Sequence, residues 1–431
     1  MKLDYKKTIL VGFAFFLICA FWQAYDNAMP LILKHKFGLS ETLSGLIMAL
    51  DNILALFMLP LFGALSDNLA EKKRRFGRRT PFIVLGTIAA VIGFLFVPVI
   101  DNIYLLVGVL LVTLIAMSVF RSPAVALMPD VTCKPHRSKA NAVINLMGTA
   151  GGICVLVFGI LFKTSEEGKT DFFYYILATC SLMIFALAVF LVTVRENKWA
   201  KEMEDNTAKY FPDKETMERD RENHGKLTKG QLLSLIFILS SVALWFMGYN
   251  AVTSKYSTYS TDVLALDYNL TMLIAQGAAI VSYIPVGLLA SKIGRKKSIL
   301  IGVALLFTAF FAAGFLRKGT SNIIMYILFA VAGIGWATIN VNSFPMVVEL
   351  SKSSDVGKYT GFYYTAIMAA QAVTPVLSGG IMDIAGNMYP LFPYAAVCVA
   401  LAFITMLFVK HGDNKPETPK DKLEMLAGAD D

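Results

Sequence analysis

Tyr25-Asp26-Asn27-Ala28 lies in the first apolar run of the sequence, and Tyr249-Asn250-Ala251 lies in the seventh, 224 positions later. At the same offset Gly63-Ala64-Leu65-Ser66-Asp67 becomes Gly287-Leu288-Leu289-Ala290-Ser291. Each pentad runs into a basic cluster: Arg74, Arg75, Gly77, Arg78 and Arg79 in the first copy, Gly294, Arg295, Lys296 and Lys297 in the second. Further along, the offset falls to about 219, where Arg121-Ser122-Pro123 and Asp130 align with Asn340-Val341-Asn342 and Glu349. Features held at one spacing in both halves mark an internal duplication, which must be recognised before single motifs are read.

The repeated unit is a membrane unit. Of 431 residues, 56% are hydrophobic and 16% charged, against about 25% charged in soluble domains. Twelve runs approach the roughly 20 apolar residues that a spanning helix needs: 8–33, 41–66, 80–100, 103–128, 140–162, 172–194, 230–255, 269–291, 298–316, 320–348, 358–383 and 389–409. The first is too long for a signal peptide, lacks a small-residue cleavage site and carries Trp22, Gln23 and Asp26, so it reads as a permanent span. The fold expected is all-α and integral to the membrane, twelve helices in two pseudo-symmetric bundles. Residues 1–194 form the first bundle, 195–229 a cytoplasmic linker, 230–409 the second bundle and 410–431 a tail.

The net charge of +8 belongs to this topology. With the N-terminus inside, about 31 of the 39 Lys and Arg face the cytoplasm, as the positive-inside rule requires. Both termini are then cytoplasmic, and the charge calls for no nucleic-acid partner. The five cysteines have no zinc-ligand spacing and read as packing residues. His35, His136, His224 and His411 fall in loops or tails, and neither a phosphate-binding loop nor a nucleophile–base pair appears. No enzyme, no metal site and no cofactor is expected.

An ionisable side chain inside a span is a functional candidate by default. Asp26, Asp51 and Arg121 qualify in the first half, and Lys255 near the outer end of the seventh span. Asp26 sits with Trp22, Gln23, Asn27 and Pro30 at i, i+3 and i+4 spacing, which gathers them on one face of a helix. The purely structural alternative, in which Arg121 only neutralises a carboxylate, is disfavoured because apolar packing would serve better. Every charged mid-span position of the first half has a neutral mate: Asp26 becomes Asn250, Asp51-Asn52 becomes Ala275-Gln276, and Arg121 becomes Asn340. A titratable face can bind and release a proton, while a neutral amide face can hydrogen-bond hydroxyls. Coupling therefore reads to the first half, through Asp26, Asp51 and Arg121. Recognition reads to Trp22, Gln23, Tyr25, Trp245, Tyr249, Asn250, Gln276, Asn340, Asn342 and Gln371. Phe246, Tyr363 and Tyr364 add aromatic surface that interhelical packing would explain equally well.

Gly63-x-x-x-Asp67 with Gly77-Arg78-Arg79 resembles the signature loop of the major facilitator superfamily. Gly45-Leu46-Ile47 through Phe76-Gly77-Arg78-Arg79-Thr80-Pro81-Phe82, with Arg121-x-x-Ala124 and Asp130, looks like the proton-coupled sugar symporters related to plant sucrose transporters, in or near the glycoside–pentoside–hexuronide group. Asn68 stands where that pattern has Arg, and Ser118 where the fourth helix has an acid. The resemblance implies a cytoplasmic gate at Gly63, Asp67, Arg75, Arg78 and Arg79, and proton-coupled uptake of a sugar or small glycoside, with the disaccharide class foremost. Sodium-coupled sugar transport and efflux of amphipathic compounds are the alternatives, and a sensor or scaffold role fits twelve spans poorly. The expected setting is a bacterial plasma membrane, with the sugar and the bilayer as partners and the protein a monomer.

Overall fold

A computed structural model of the chain describes residues 3–68, 77–133, 136–210, 228–348 and 356–411. Among them there are helices and no strands. The chain divides into two compact units, Met1–Ser40 with Leu46–Pro212, and Glu41–Gly45 with Asp213–Asp431.

The first unit holds α1 (Tyr5–Leu31), most of α2 (Glu41–Asn68), α3 (Thr80–Phe96), α4 (Ile103–Val131), α5 (Arg137–Leu161), α6 (Phe173–Thr193) and α7 (Glu196–Tyr210). The second holds α8 (Lys229–Tyr259), α9 (Tyr268–Ile293), α10 (Arg295–Ala313), α11 (Asn322–Val348), α12 (Val356–Ala385) and α13 (Leu391–Leu407). Each of the twelve apolar runs lies on one of these helices. Ten helical segments are long and apolar enough to cross a membrane. An eleventh, α9, is a pair, Tyr268–Tyr283 and Pro285–Ile293, meeting at 51° beside Pro285, where the missing N–H loosens the helix. The last, Leu391–Leu407, is apolar but only 17 residues long.

Local chemistry starts the helices. Asp4 accepts from the Lys7 N–H at 3.1 Å, Asn102 from Tyr104 and Leu105 at 2.9 and 3.2 Å, and Asp267 from Asn269 at 2.9 Å. Thr228 and Gln231 close a capping box on α8. The duplication shows in the packing. In the first unit α1 packs on α5 and α6, and α3 on α4 and α6; in the second, α8 packs on α12 and α13, and α10 on α11 and α13. The mates α1 and α8 even share an ending, each running into a π-helical turn, Ile32–Lys36 and Ser260–Leu264.

The expected linker begins as structure. Helix α7 buries Trp199, places Glu202 against Lys7, and sets the Lys7 ammonium 5.7 Å from the Trp199 ring centre. Its sequence reads as solvated because, among its described side chains, Trp199 is the one large apolar residue that is buried.

Candidate functional site

In the first unit the site is built on α1, α2 and α4. Phe21, Ala24, Tyr25, Asn27 and Ala28 are buried, whereas Trp22, Gln23 and Asp26 keep partial exposure. The accessible stripe continues through Phe15 and Cys19, one side of α1 at helical spacing. An amide and a carboxylate on such a stripe are ill suited to lipid, so it faces a polar space. Gln23 donates to the Asn27 side-chain oxygen at 3.3 Å. Asp51, half-buried on α2, accepts from both the backbone and side-chain nitrogens of Asn52, each at 2.6 Å. Arg121, half-buried on α4, lies with its guanidinium 5.7 Å from the Trp22 ring centre. Asp26 lies within electrostatic reach of both Asp51 and Arg121, and Asp51 within reach of Arg121. Trp22 and Tyr25 meet edge to face at 5.6 Å, and Phe21 stacks on Tyr25 at 5.9 Å. The structure thus brings all three coupling candidates into one electrostatic cluster. Ser118 is outside it, buried and bonded to the Leu114 carbonyl at 3.0 Å.

In the second unit the polar set is uncharged. Tyr249 and Asn250 are half-buried on α8, with Trp245 and Phe246 buried one turn earlier. Trp336 of α11, which the sequence reading did not single out, stacks on Tyr249 with ring centres 3.5 Å apart and planes 20° from parallel. Trp336 also meets Trp245 edge to face at 5.1 Å. Its signal in the sequence was slight: one of four tryptophans, in a largely apolar run. Asn250 Oδ1 and Trp245 Nε1 are buried without a hydrogen-bond partner among the described residues. Such atoms are costly unless something else satisfies them. Gln276, Asn340 and Gln371 are half-buried on α9, α11 and α12. Asn342 differs: it is buried, and its amide nitrogen donates to the Thr338 carbonyl of its own helix at 2.9 Å. Tyr363 is buried against Ser343, oxygen to oxygen 2.8 Å, while Tyr364 is exposed.

The loop between α2 and α3 has its own geometry. Arg75 lies outside the described residues, as does the Asp67 side chain. Arg79 is buried and pairs with Asp130 of α4 at 2.7 Å, also donating to Ser66. Arg78 lies 3.6 Å from the same carboxylate. Glu196, at the start of α7, accepts from the backbone nitrogens of Arg78, Arg79 and Thr80 at 2.5, 2.8 and 2.9 Å, and from the Thr80 hydroxyl at 2.7 Å. A carboxylate capping the α3 N-terminus answers the positive end of the helix dipole. Gly77 adopts φ +84°, and a Cβ there would strike the Glu196 carboxylate, so this position needs glycine on both counts. A Cβ on Gly63 would come within 2.9 Å of the Ser122 hydroxyl. The sequence pattern located the arginines but not Glu196, which sits in the charged linker among many similar residues.

Two copies of one helical arrangement, each with a basic turn after its second helix, match the description of the Major Facilitator Superfamily over residues 11–344 and 267–428. The chain belongs to that superfamily. An uncharacterised MFS-type transporter of Methanocaldococcus jannaschii is 25% identical over 183 residues, covering 41% of this chain and 43% of its own length. The MFS-type transporter ppzB of Metarhizium rileyi is 28% identical over 148 residues, 33% of this chain and 29% of its own. The chain thus spans less than half the length of these curated relatives. Among solved structures, the inward-open xylose transporter XylE of E. coli gives a TM-score of 0.69 at 17% identity, with 98% of this chain and 99% of that one covered. A peptide transporter, POT, gives 0.68 at 11% identity, covering 93% and 94%. The nucleoside transporter NupG gives 0.66 at 15%, covering 94% and 100%. These likenesses show the fold, and the family match together with the long apolar helices makes the chain a multi-pass membrane protein. They span sugar, peptide and nucleoside carriers, so the fold alone does not select a solute.

Proposed function

We propose that this superfamily member is a transporter that takes up a sugar or small glycoside, a disaccharide foremost, by proton-coupled symport. The observation that carries the reading is the division of labour between the units. Asp26, Asp51 and Arg121 cluster on accessible faces of the first unit, and the corresponding faces of the second carry amides and a stacked Tyr249–Trp336 pair. Aromatic faces suit the C–H faces of a pyranose ring, and amides suit its hydroxyls.

The coupling follows from linkage. A carboxylate near Arg121 holds the guanidinium by charge, and protonation of that carboxylate releases it to donate to a hydroxyl. Sugar held by Arg121 in turn favours the protonated acid, and the two effects are equal by thermodynamic reciprocity. One charge crossing 100 mV supplies about 2.3 kcal/mol, roughly a fortyfold concentration ratio at 1.4 kcal/mol per decade. In this reading both termini are cytoplasmic, the carrier acts as a monomer in a bacterial plasma membrane, and Arg78, Arg79 and Asp67 belong to the cytoplasmic gate.

The test is uptake by proteoliposomes of labelled mono- and disaccharides under an inward proton gradient, an inward sodium gradient and no gradient. Accumulation driven by protons alone is expected. Accumulation driven only by sodium moves the coupling ion to Na+. No saccharide uptake under any gradient overturns the sugar reading.

A further inference from the structure

Where α1 begins, the first unit encloses a cavity that Asp26, Asp51 and Arg121 do not line. Its walls are the start of α1, the end of α4, the turn from α4 into α5, and α7, all within that unit. Counting its open mouth, the cavity holds about 570 Å³, which is room for a small molecule. In the expected topology it lies on the cytoplasmic side.

Val11, Met128, Val131 and Met203 give the cavity an apolar lining, and Trp199 adds an indole. Such surfaces accept an aromatic or alkyl body. The polar lining is short of donors. Asp4 and Glu202 supply two carboxylates. Lys7, paired with Glu202 and 3.9 Å from Asp4, is the single ammonium among the described lining residues. His136 lines the cavity too, and its Nε2 is buried with no hydrogen-bond partner among the described residues. An orphan of this kind is costly until something satisfies it.

Charge and hydrogen bonding call for the same partner. Two carboxylates against one ammonium leave the carboxylates in excess. A second ammonium redresses that excess. It carries three N–H donors and no acceptor, so it can donate to the carboxylates, and to His136 Nε2 when the ring proton sits on Nδ1. An indole face attracts a cation as well, and Lys7 already uses this, 5.7 Å from the Trp199 ring centre. An inorganic cation would leave the apolar lining unused, and an anion would be repelled by Asp4 and Glu202. We propose that this cavity binds a small organic amine, a primary ammonium on an aromatic or alkyl body, seated between α7 and the ends of α1 and α4. The site does not depend on which solute is carried.

The test titrates the purified protein with phenethylamine by calorimetry, beside phenethyl alcohol and hydrocinnamate, its neutral and anionic counterparts, at constant ionic strength. The amine is expected to bind about tenfold tighter than the alcohol, as a charge-assisted hydrogen bond allows, and the anion not to bind. Asp4→Asn and Glu202→Gln each remove the excess charge and are expected to weaken amine binding about tenfold. Lys7→Met keeps an unbranched stem beside Trp199 and removes the ammonium that competes for the same carboxylates. It is expected to tighten amine binding about tenfold, a gain that a damaged fold would not give. Asp26→Asn is expected to stay within about threefold of the parent, as for a position that shares no partner with the cavity. No amine binding by the parent overturns the site, and so does an alcohol that binds equally well. Amine affinity unchanged or weakened in Lys7→Met overturns it too. A loss confined to Asp26→Asn also overturns it, because the amine would then sit in the coupling cluster.

Discussion

Asn250 Oδ1 is buried with no protein partner among the described residues, so its side chain contributes little to holding the helices together. Asn250→Ala is therefore expected to leave the melting temperature of the purified protein unchanged. It should weaken sugar binding three- to tenfold, the loss of one neutral hydrogen bond worth about 0.5–1.5 kcal/mol. Unchanged affinity in titration calorimetry would remove Asn250 from recognition. Trp336→Ala takes away the ring that covers Tyr249 at 3.5 Å and should weaken binding more, with Trp336→Phe intermediate. In the first unit the decisive pair is Asp26→Asn and Asp51→Asn. The carboxylate that carries the proton is the one whose amide keeps sugar exchange but loses uphill, pH-driven accumulation in proteoliposomes. Asp26 is favoured, because it shares its accessible stripe with Trp22 and Gln23 and its repeat mate, Asn250, is isosteric. Wild-type accumulation in both variants would refute proton symport through this cluster.

At the scale of elements, close helix crossings rest on small residues, since lipid supplies no hydrophobic drive between helices. Gly302 of α10 and Gly335 of α11 face each other, and a Cβ on either would lie 2.8 Å from the other's carbonyl oxygen. Gly335→Val should cost about 1–3 kcal/mol by overpacking and lower the unfolding midpoint of the purified protein. Gly108 of α4 has open space around its Cβ position. Gly108→Ala should hold or raise the midpoint, because alanine favours the helix by up to about 1 kcal/mol. Equal effects of the two substitutions would show that the Gly302–Gly335 crossing is not a tight contact. Glu196 joins two elements by capping α3 from the start of α7. Glu196→Ala should free α7 for proteolysis within residues 196–210 at protease levels that leave the parent intact.

For the whole molecule, the charge asymmetry predicts the sidedness of every loop. A cysteine at Asn102, between α3 and α4, should react with an impermeant maleimide added outside intact cells, and one at Asp205 on α7 should not. The reverse pattern would invert the topology. The recurrence of the same helix neighbours in both units carries the duplication from sequence into packing. Among the many amino-acid differences between the copies, a few change the chemistry of a mid-span position. Asp26 against Asn250, and Arg121 against Asn340, are the differences from which the coupling reading grows.

The spans, the duplication and the basic turns were legible because each is written locally. An apolar run of membrane length, a fixed offset and a count of Lys and Arg need no knowledge of what touches what. The grouping of Asp26, Asp51 and Arg121 was legible for a related reason: charge inside an apolar run is conspicuous, and such residues gather where a polar space exists. The remainder depended on contacts distant in the chain. Trp336 is unremarkable until α11 lays it on Tyr249. Glu196 is one acid among nine in a charged segment until α7 brings it to the N-terminus of α3. Sequence periodicity records which face of a helix avoids water, but a capping carboxylate or a stacked ring is defined by its partner, and only the tertiary structure chooses the partner.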